Sequence, residues 1–151
     1  GLLHANFRQP ALDYTDLIKL TLFMTRDMSQ AEKMFRLAAF NVLSHNRDDH
    51  GKNFSFLMDE TGQWALSPAY DLIYSAGPGG EQSTMAAGEG RNPGQAHLLE
   101  LAKTASLPAK KAKEIIDQCR SALNKWDALA KEAGVSKDRI GEIGKMLSQK
   151  E

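Results

Sequence analysis

Three oxygen-bearing side chains, Asp48, Asn53 and Asp71, have the types and the order that chemistry on phosphates needs. Asp48 and Asn53 lie in residues 44–53, a polar run without one apolar side chain. Carboxylate and amide oxygens are preferred ligands of a hard divalent cation such as Mg²⁺, which often holds phosphates. A remaining carboxylate can accept a proton from an attacking hydroxyl or orient it. The three side chains therefore predict a metal-assisted site, provided that the fold brings them together.

The order of these residues matches the catalytic loop of protein kinases. That loop reads H-R-D-x-x-x-x-N and is followed, after a short strand pair, by an Asp that binds Mg²⁺. Residues 47–53 read R-D-D-H-G-K-N, in register with the pattern, and Asn46 stands where the kinase His would be. Asp71 occurs in A-Y-D-L instead of D-F-G. Because D-x-x-x-x-N alone is common by chance, the elements around the loop carry much of the interpretation.

Two helices are predicted before this loop, and they must position it. Apolar residues recur at helical spacing after Asp13, which could cap a first helix, as could Thr15. Ser29 is predicted to cap a second helix, with Glu32 as its capping-box partner. Residues 34–43 are apolar on nearly every face, which predicts a helix buried in the middle of the domain.

A small hairpin is predicted after the loop, from apolar segments 54–58 and 64–66 around a turn with Gly62. The hairpin should return Asp71 close to Asn53. Residues 77–94 read as a long glycine-rich loop, followed by helices at roughly 95–105, 108–133 and 136–148. The predicted fold class is mainly α, a helical domain with one small β-hairpin next to the catalytic loop.

The composition is that of an ordinary globular protein. The 151 residues are 42% hydrophobic and 25% charged, which fits one domain over residues 1–151 and excludes collagen-like and wholly disordered classes. Nineteen basic against nineteen acidic side chains argue against a protein that mainly neutralises nucleic-acid phosphates. The single cysteine, Cys119, fits a reducing compartment and is expected to be buried packing. No apolar run approaches the ~18 residues of a membrane span.

The sequence around the candidate site residues resembles the C-terminal domain of HipA-family toxins, the Ser/Thr kinases of bacterial HipA–HipB toxin–antitoxin modules. The resemblance is densest in N-R-D-D-H-G-K-N-F-S-F-L, residues 46–57, and W-A-L-S-P-A-Y-D-L, residues 64–72. It implies a kinase C-lobe-like fold, with Asp48 as the catalytic residue that engages the substrate hydroxyl. It also implies Asn53 and Asp71 as Mg²⁺ ligands, and His50 and Lys52 as supports for phosphate or for the loop.

The same resemblance implies cofactors and partners. ATP would be the phosphate donor, with Mg²⁺, and growth arrest and persistence of a bacterial cell would be the outcome. The partner would be a HipB-like antitoxin in the cytoplasm, with nucleic acid reached only through that antitoxin. An aminoacyl-tRNA synthetase is one kind of protein target known in the family.

Two parts of a kinase are missing from the sequence. No Gly-rich loop precedes a Lys-bearing strand, and Gly77-Pro78-Gly79-Gly80 follows the hairpin instead. The first residue is Gly1 rather than Met, so we expect a piece of a longer protein, without its N-terminal nucleotide-clamping lobe. Weak or absent kinase activity is expected for the chain alone, because positioning is most of the catalysis in phosphoryl transfer.

Other interpretations stay open from the residues. Asp48 and Asp49 could only cap a solvated loop, Asn53 could be a turn residue, and Asp71 could cap a short helix over residues 72–74. The domain could be a non-catalytic helical module that docks an antitoxin or regulates a partner. A metal-dependent hydrolase that uses His45 and His50 is a further alternative.

Overall fold

The computed structural model describes residues 12–148, which contain six α-helices and two very small sheets. Helix α1 spans Tyr14–Thr25, α2 Met28–Leu43, α3 Gln95–Thr104, α4 Ala109–Leu123, α5 Trp126–Glu132 and α6 Lys137–Leu147. Strands β2 (Phe56–Met58) and β3 (Trp64–Leu66) form the antiparallel hairpin. Strands β1 (Leu12–Asp13) and β4 (Thr84–Met85) form a parallel pair. The predicted fold class, mainly α with one small hairpin, is confirmed.

Helix α2 is the central element, as its apolar sequence predicts. Residues on several of its faces are fully buried, among them Met34, Phe35, Ala38 and Val42. Helices α1, α3 and α4 and strand β3 all pack against it. Burial of apolar area is the main favourable term in folding, so this helix anchors the loop that begins at its carboxyl end.

The caps of the first two helices follow from acidic side chains. Asp13 caps α1 by accepting a hydrogen bond from the backbone N–H of Thr15 at 2.7 Å. The prediction that Ser29 caps α2 is wrong. Asp27 is the cap, because its carboxylate accepts from both the backbone N–H and the hydroxyl of Ser29, at 2.8 and 2.7 Å. Glu32 instead forms an ion pair with Lys111 at 3.3 Å.

The predicted single helix over residues 108–133 is in fact two helices, α4 and α5. At the break the backbone N–H of Lys125 bonds to the carbonyl of Ala122 at 3.2 Å, a tighter turn than an α-helix makes. The Trp126 indole then donates to the carbonyl of Ile140 at 3.1 Å, which turns α5 towards α6. Cys119 on α4 is buried, as predicted. In the described part of the chain, no helix has the length and apolarity to span a membrane.

Candidate functional site

The polar loop that follows α2 is fixed by main-chain contacts to a later segment of the chain. The carbonyl of His45 accepts a hydrogen bond from the backbone N–H of Ser75 at 3.0 Å. Asn46 and Ser75 also form an isolated parallel bridge. Residues 45–53 and 70–76 therefore lie side by side, although the hairpin separates them in the sequence.

Asp71 meets this loop through its backbone. Its carbonyl accepts a hydrogen bond from Nδ2 of Asn46 at 3.3 Å, and its φ of 55° lies in the left-handed region. The neighbouring Tyr70 hydroxyl donates to the carbonyl of Lys52 at 2.6 Å. The Asp71 side chain is exposed. Residues 72–74 are not helical, so the alternative in which Asp71 caps a short helix there is wrong.

Asn53 ties the two ends of the loop together. It lies in a single 3₁₀ turn, Gly51–Asn53, and is buried. Its Nδ2 donates to the carbonyl of Asp48 at 3.1 Å, which leaves Oδ1 as the side-chain oxygen for another ligand. Asp48 itself is half-buried.

The neighbouring carboxylate, Asp49, has a different environment and is fully buried. Its Oδ2 accepts from the Tyr14 hydroxyl at 2.6 Å, and its Oδ1 accepts from the backbone N–H of Thr84 at 3.0 Å. The Thr84 hydroxyl also donates to the Asp49 carbonyl. Burial raises the pKa of Asp49 to about 7, although the bonds from Tyr14 and Thr84 oppose that rise. Burial, with the charge of Asp49, raises the pKa of Tyr14 well above its usual value.

His50 and Lys52 lie on the same loop as Asp48. His50 is half-buried, and its Nδ1 is a buried atom without a hydrogen-bond partner among the described residues. Lys52 is exposed and contributes its carbonyl to the bond from Tyr70. An imidazole nitrogen and an ammonium group beside Asp48 could both contact an anionic group.

The oxygen donors fit Mg²⁺ better than a metal that prefers nitrogen or sulfur. Asn53 offers an amide oxygen, and Asp71 offers an exposed carboxylate on the segment bonded to the same loop. Two protein oxygens are enough where phosphates and water complete an octahedral shell. Within residues 12–148, no three His, Cys, Asp or Glu side chains are grouped so that they could hold a metal ion.

Sequence reasoning missed the buried polar residues beneath the loop: Tyr14, Asn41, Asp49 and Thr84. Asn41 was a usable signal, because a polar residue in the apolar, buried last turns of a helix requires a hydrogen-bond partner. Its Nδ2 donates to the Tyr14 hydroxyl oxygen at 2.8 Å. Thr84 had no comparable signal, since its strand is two residues long.

One family model and two curated relatives match the chain. A family model described as the HipA-like C-terminal domain matches residues 1–126. The serine/threonine-protein kinase toxin HipA of Shewanella oneidensis is 34% identical over 62 residues, which are 41% of this chain and 14% of that protein. The Sinorhizobium fredii protein Y4mE is 42% identical over 48 residues, 32% of this chain and 11% of that protein.

A solved structure has the same fold. It is the complex of HipA, HipB and operator DNA from Shewanella oneidensis, and one of its chains matches with a TM-score of 0.66 at 20% identity. The match covers 91% of this chain and 34% of the other. The regions matched in these relatives are therefore about a third of their length or less.

Proposed function

The chain belongs to the HipA-like C-terminal domain family, and from that premise we propose that it is the catalytic and metal-binding lobe of a serine/threonine protein kinase. Its reaction would transfer the γ-phosphoryl group of ATP to a protein hydroxyl. The observation that carries the proposal is the hydrogen bond from Asn46 to the Asp71 carbonyl, which joins the R-D-x-x-x-x-N loop to the second Asp. The kinase pattern requires those two segments at one site.

Asp48 is the residue assigned to the substrate hydroxyl. The hydroxyl oxygen forms a bond to the γ-phosphorus while the bond from that phosphorus to the leaving oxygen of ADP breaks. The hydroxyl proton passes towards the Asp48 carboxylate. Asp48 is held in place by the hydrogen bond that Asn53 donates to the backbone carbonyl of Asp48. Half-burial keeps the carboxylate accessible to a substrate.

Asn53 Oδ1 and the Asp71 carboxylate are the atoms that would hold Mg²⁺. The ion would neutralise charge on the phosphates and so favour transfer. His50 and Lys52 would support a phosphate or the loop itself, and their position on the same loop as Asp48 is what favours this role. We expect the 151-residue chain alone to transfer phosphate weakly, because no G-x-G-x-x-G loop with a following strand Lys occurs in it.

The family also suggests the setting of the reaction. A HipB-like antitoxin is the proposed partner, a cytoplasmic bacterial protein is the proposed target, and an aminoacyl-tRNA synthetase is one such target. DNA would be reached through the antitoxin. This chain has no excess of basic residues that would favour direct DNA binding.

The test separates metal binding from phosphoryl transfer. Mn²⁺ titration of the chain, followed by paramagnetic broadening of NMR signals, should broaden residues near Asn53 and Asp71. Asp71→Asn should weaken that binding, whereas Asp48→Asn should preserve it. In the full gene product, both substitutions should abolish transfer of radiolabelled γ-phosphate. Asp138→Asn, which removes an exposed charge at the start of α6, is the control. Transfer by Asp48→Asn at the parent rate would refute the assignment.

A partner-binding module is the second candidate, and exposed apolar side chains favour it. Leu57 and Met58 on β2 are each 57% exposed, and Leu72 and Ile73 after the hairpin are also exposed. Such side chains are typical of surfaces that another protein covers. Under this alternative, antitoxin binding would persist in a chain that carries Asp48→Asn and Asp71→Asn and transfers no phosphate.

A further inference from the structure

Four buried side chains beneath the candidate site form one continuous run of hydrogen bonds. Asn46 Nδ2 donates to Asn41 Oδ1 at 3.1 Å, and Asn41 Nδ2 donates to the Tyr14 hydroxyl oxygen at 2.8 Å. The Tyr14 hydroxyl donates in turn to Asp49 Oδ2 at 2.6 Å. All four residues are at most 2% exposed. Water therefore has little access to this run, and each group depends on its protein partner.

Every bond in the run points the same way, towards Asp49. An ionised carboxylate can only accept, so the Tyr14 hydroxyl must donate to it. The Tyr14 oxygen is then free to accept from the Asn41 amide nitrogen, which turns the Asn41 oxygen towards Asn46. Ionised Asp49 thus fixes the orientation of both amides through the Tyr14 hydroxyl.

The other end of the run reaches the metal site. The second N–H of Asn46 Nδ2 faces the carbonyl of Asp71 at 3.3 Å, where the backbone is left-handed. Asn46 Oδ1 is buried without a hydrogen-bond partner among the described residues. Turning the amide over would set that oxygen against the Asn41 and Asp71 oxygens. The orientation that holds Asp71 therefore depends on an acceptor at Asn41.

We propose that Asp49, Tyr14, Asn41 and Asn46 are positioning residues that orient Asp71 for the metal through the direction of their hydrogen bonds. The proposal rests on the proposed role of Asp71 as a metal ligand. It assigns Asp49, next to the proposed catalytic Asp48, a role that needs no contact with substrate. An amide at position 49 could donate to Tyr14 and so permit the whole run to reverse, whereas an ionised carboxylate cannot.

The parent chain gives the first test. NMR at pH 8, where Asp49 is ionised, should place the side-chain amide protons of Asn46 and Asn41 away from those of the exposed Asn92 and Asn124. Asp49→Asn, which is nearly isosteric, should move the Asn46 amide signals and the Asp71 carbonyl carbon. Asp138→Asn should move neither. If the Asn46 amide in the parent chain resembles the exposed ones, the proposal is wrong, whether or not any variant folds.

Mn²⁺ binding then tests the consequence for the metal. Broadening of Asp71 signals should need about tenfold more Mn²⁺ in Asp49→Asn, the size expected when a partner of a metal ligand is lost. Tyr14→Phe breaks the run without changing residue 49, so it should weaken Mn²⁺ binding to a similar extent. Asp138→Asn, which removes an exposed charge at the start of α6, is the control and should leave binding unchanged.

Two results would overturn the proposal in different ways. If Asp49→Asn weakens Mn²⁺ binding but Tyr14→Phe does not, then the run through Tyr14 has no effect on the metal and the direction of its bonds is irrelevant. If the parent chain shows no Mn²⁺ effect at Asp71, the proposed metal role itself fails, and this proposal fails with it. The metal-free amide signals distinguish the second case, because they report the run without any ion.

Discussion

A Cβ atom built on Gly77 would lie 2.7 Å from the Cβ of Arg47 and would also collide with the carbonyl oxygen of Glu81. Arg47 directly precedes Asp48, and its carbonyl accepts hydrogen bonds from the backbone and the hydroxyl of Ser83, at 3.1 and 2.9 Å. The glycine-rich segment therefore packs directly against the candidate catalytic loop, and only a residue without a side chain fits at its point of closest approach.

Gly77→Ala should destabilise the fold by about 2 kcal/mol or more. A left-handed backbone costs a side chain about 1–2 kcal/mol, and the collisions with Arg47 and Glu81 add to that cost. Urea unfolding followed by circular dichroism measures the change. Gly62→Ala is the matched control, because Gly62 has a φ of 83° but open space around it. Equal losses in the two variants would show that the close approach to Arg47 has no energetic effect.

Tyr14→Phe should lower the free energy of unfolding by about 1–3 kcal/mol, the usual cost of leaving buried polar groups without partners. The substitution removes the hydroxyl between Asn41 and Asp49 and changes little in volume. Tyr70→Phe also deletes a bonded hydroxyl, but Tyr70 is 42% exposed and water can replace it. Urea unfolding should therefore show a much smaller loss for Tyr70→Phe, and a reversed order would contradict the buried assignment of Tyr14.

The stability of the fold should fall as pH rises through the titration of Asp49. Its pKa is about 7 in the folded protein and near 3.8 in the unfolded chain. The folded state therefore binds the proton more tightly, and the stability that this provides is complete below about pH 4 and lost by about pH 8. The contribution is at most about 4 kcal/mol. The difference between the parent and Asp49→Asn in urea unfolding, measured from pH 4.5 to 8, isolates it. A difference that grows in favour of the parent with pH would have the wrong sign.

Cys119 should react slowly with alkylating reagents in the folded protein. The residue is 5% exposed, its thiol lies 3.9 Å from the Arg36 carbonyl, and burial raises its pKa. The thiolate is the reactive form, so both burial and the higher pKa slow the reaction. The rate with iodoacetamide should rise steeply across the urea transition. A native rate equal to that in urea would place this side of α4 in solvent.

The sequence predicted most of what apolar periodicity determines. The burial of α2, the hairpin around Gly62 and the cap at Asp13 all depend on local patterns, and the structure has each of them. The break between α4 and α5 was missed, because the turn at Lys125 depends on a contact of Trp126 with a different helix. Such a contact between two helices cannot be predicted from the periodicity of apolar residues.

The sequence likewise predicts some residues of the candidate site and misses others. The order Asp48, Asn53, Asp71 can be recognised from the sequence, and the structure brings the segments that carry these residues together. Asp49 could not be distinguished from Asp48 by sequence, because the two are adjacent residues of the same type and only the fold buries one of them. Its partners come from Tyr14 and Thr84, each 35 positions away, and pairing at that distance depends on tertiary structure.

The parallel pairing of Leu12 with Thr84 has a consequence for the order of folding. The chain between these residues contains α1, α2, the candidate catalytic loop and the hairpin, so the pair can form only after a long loop has closed. Contacts between residues so distant in sequence slow folding. The Asp49 carboxylate accepts a hydrogen bond from Thr84, the first residue of strand β4. The candidate catalytic loop should therefore acquire its final shape late, after the helices have packed, and partly folded molecules should contain the helices without a formed site.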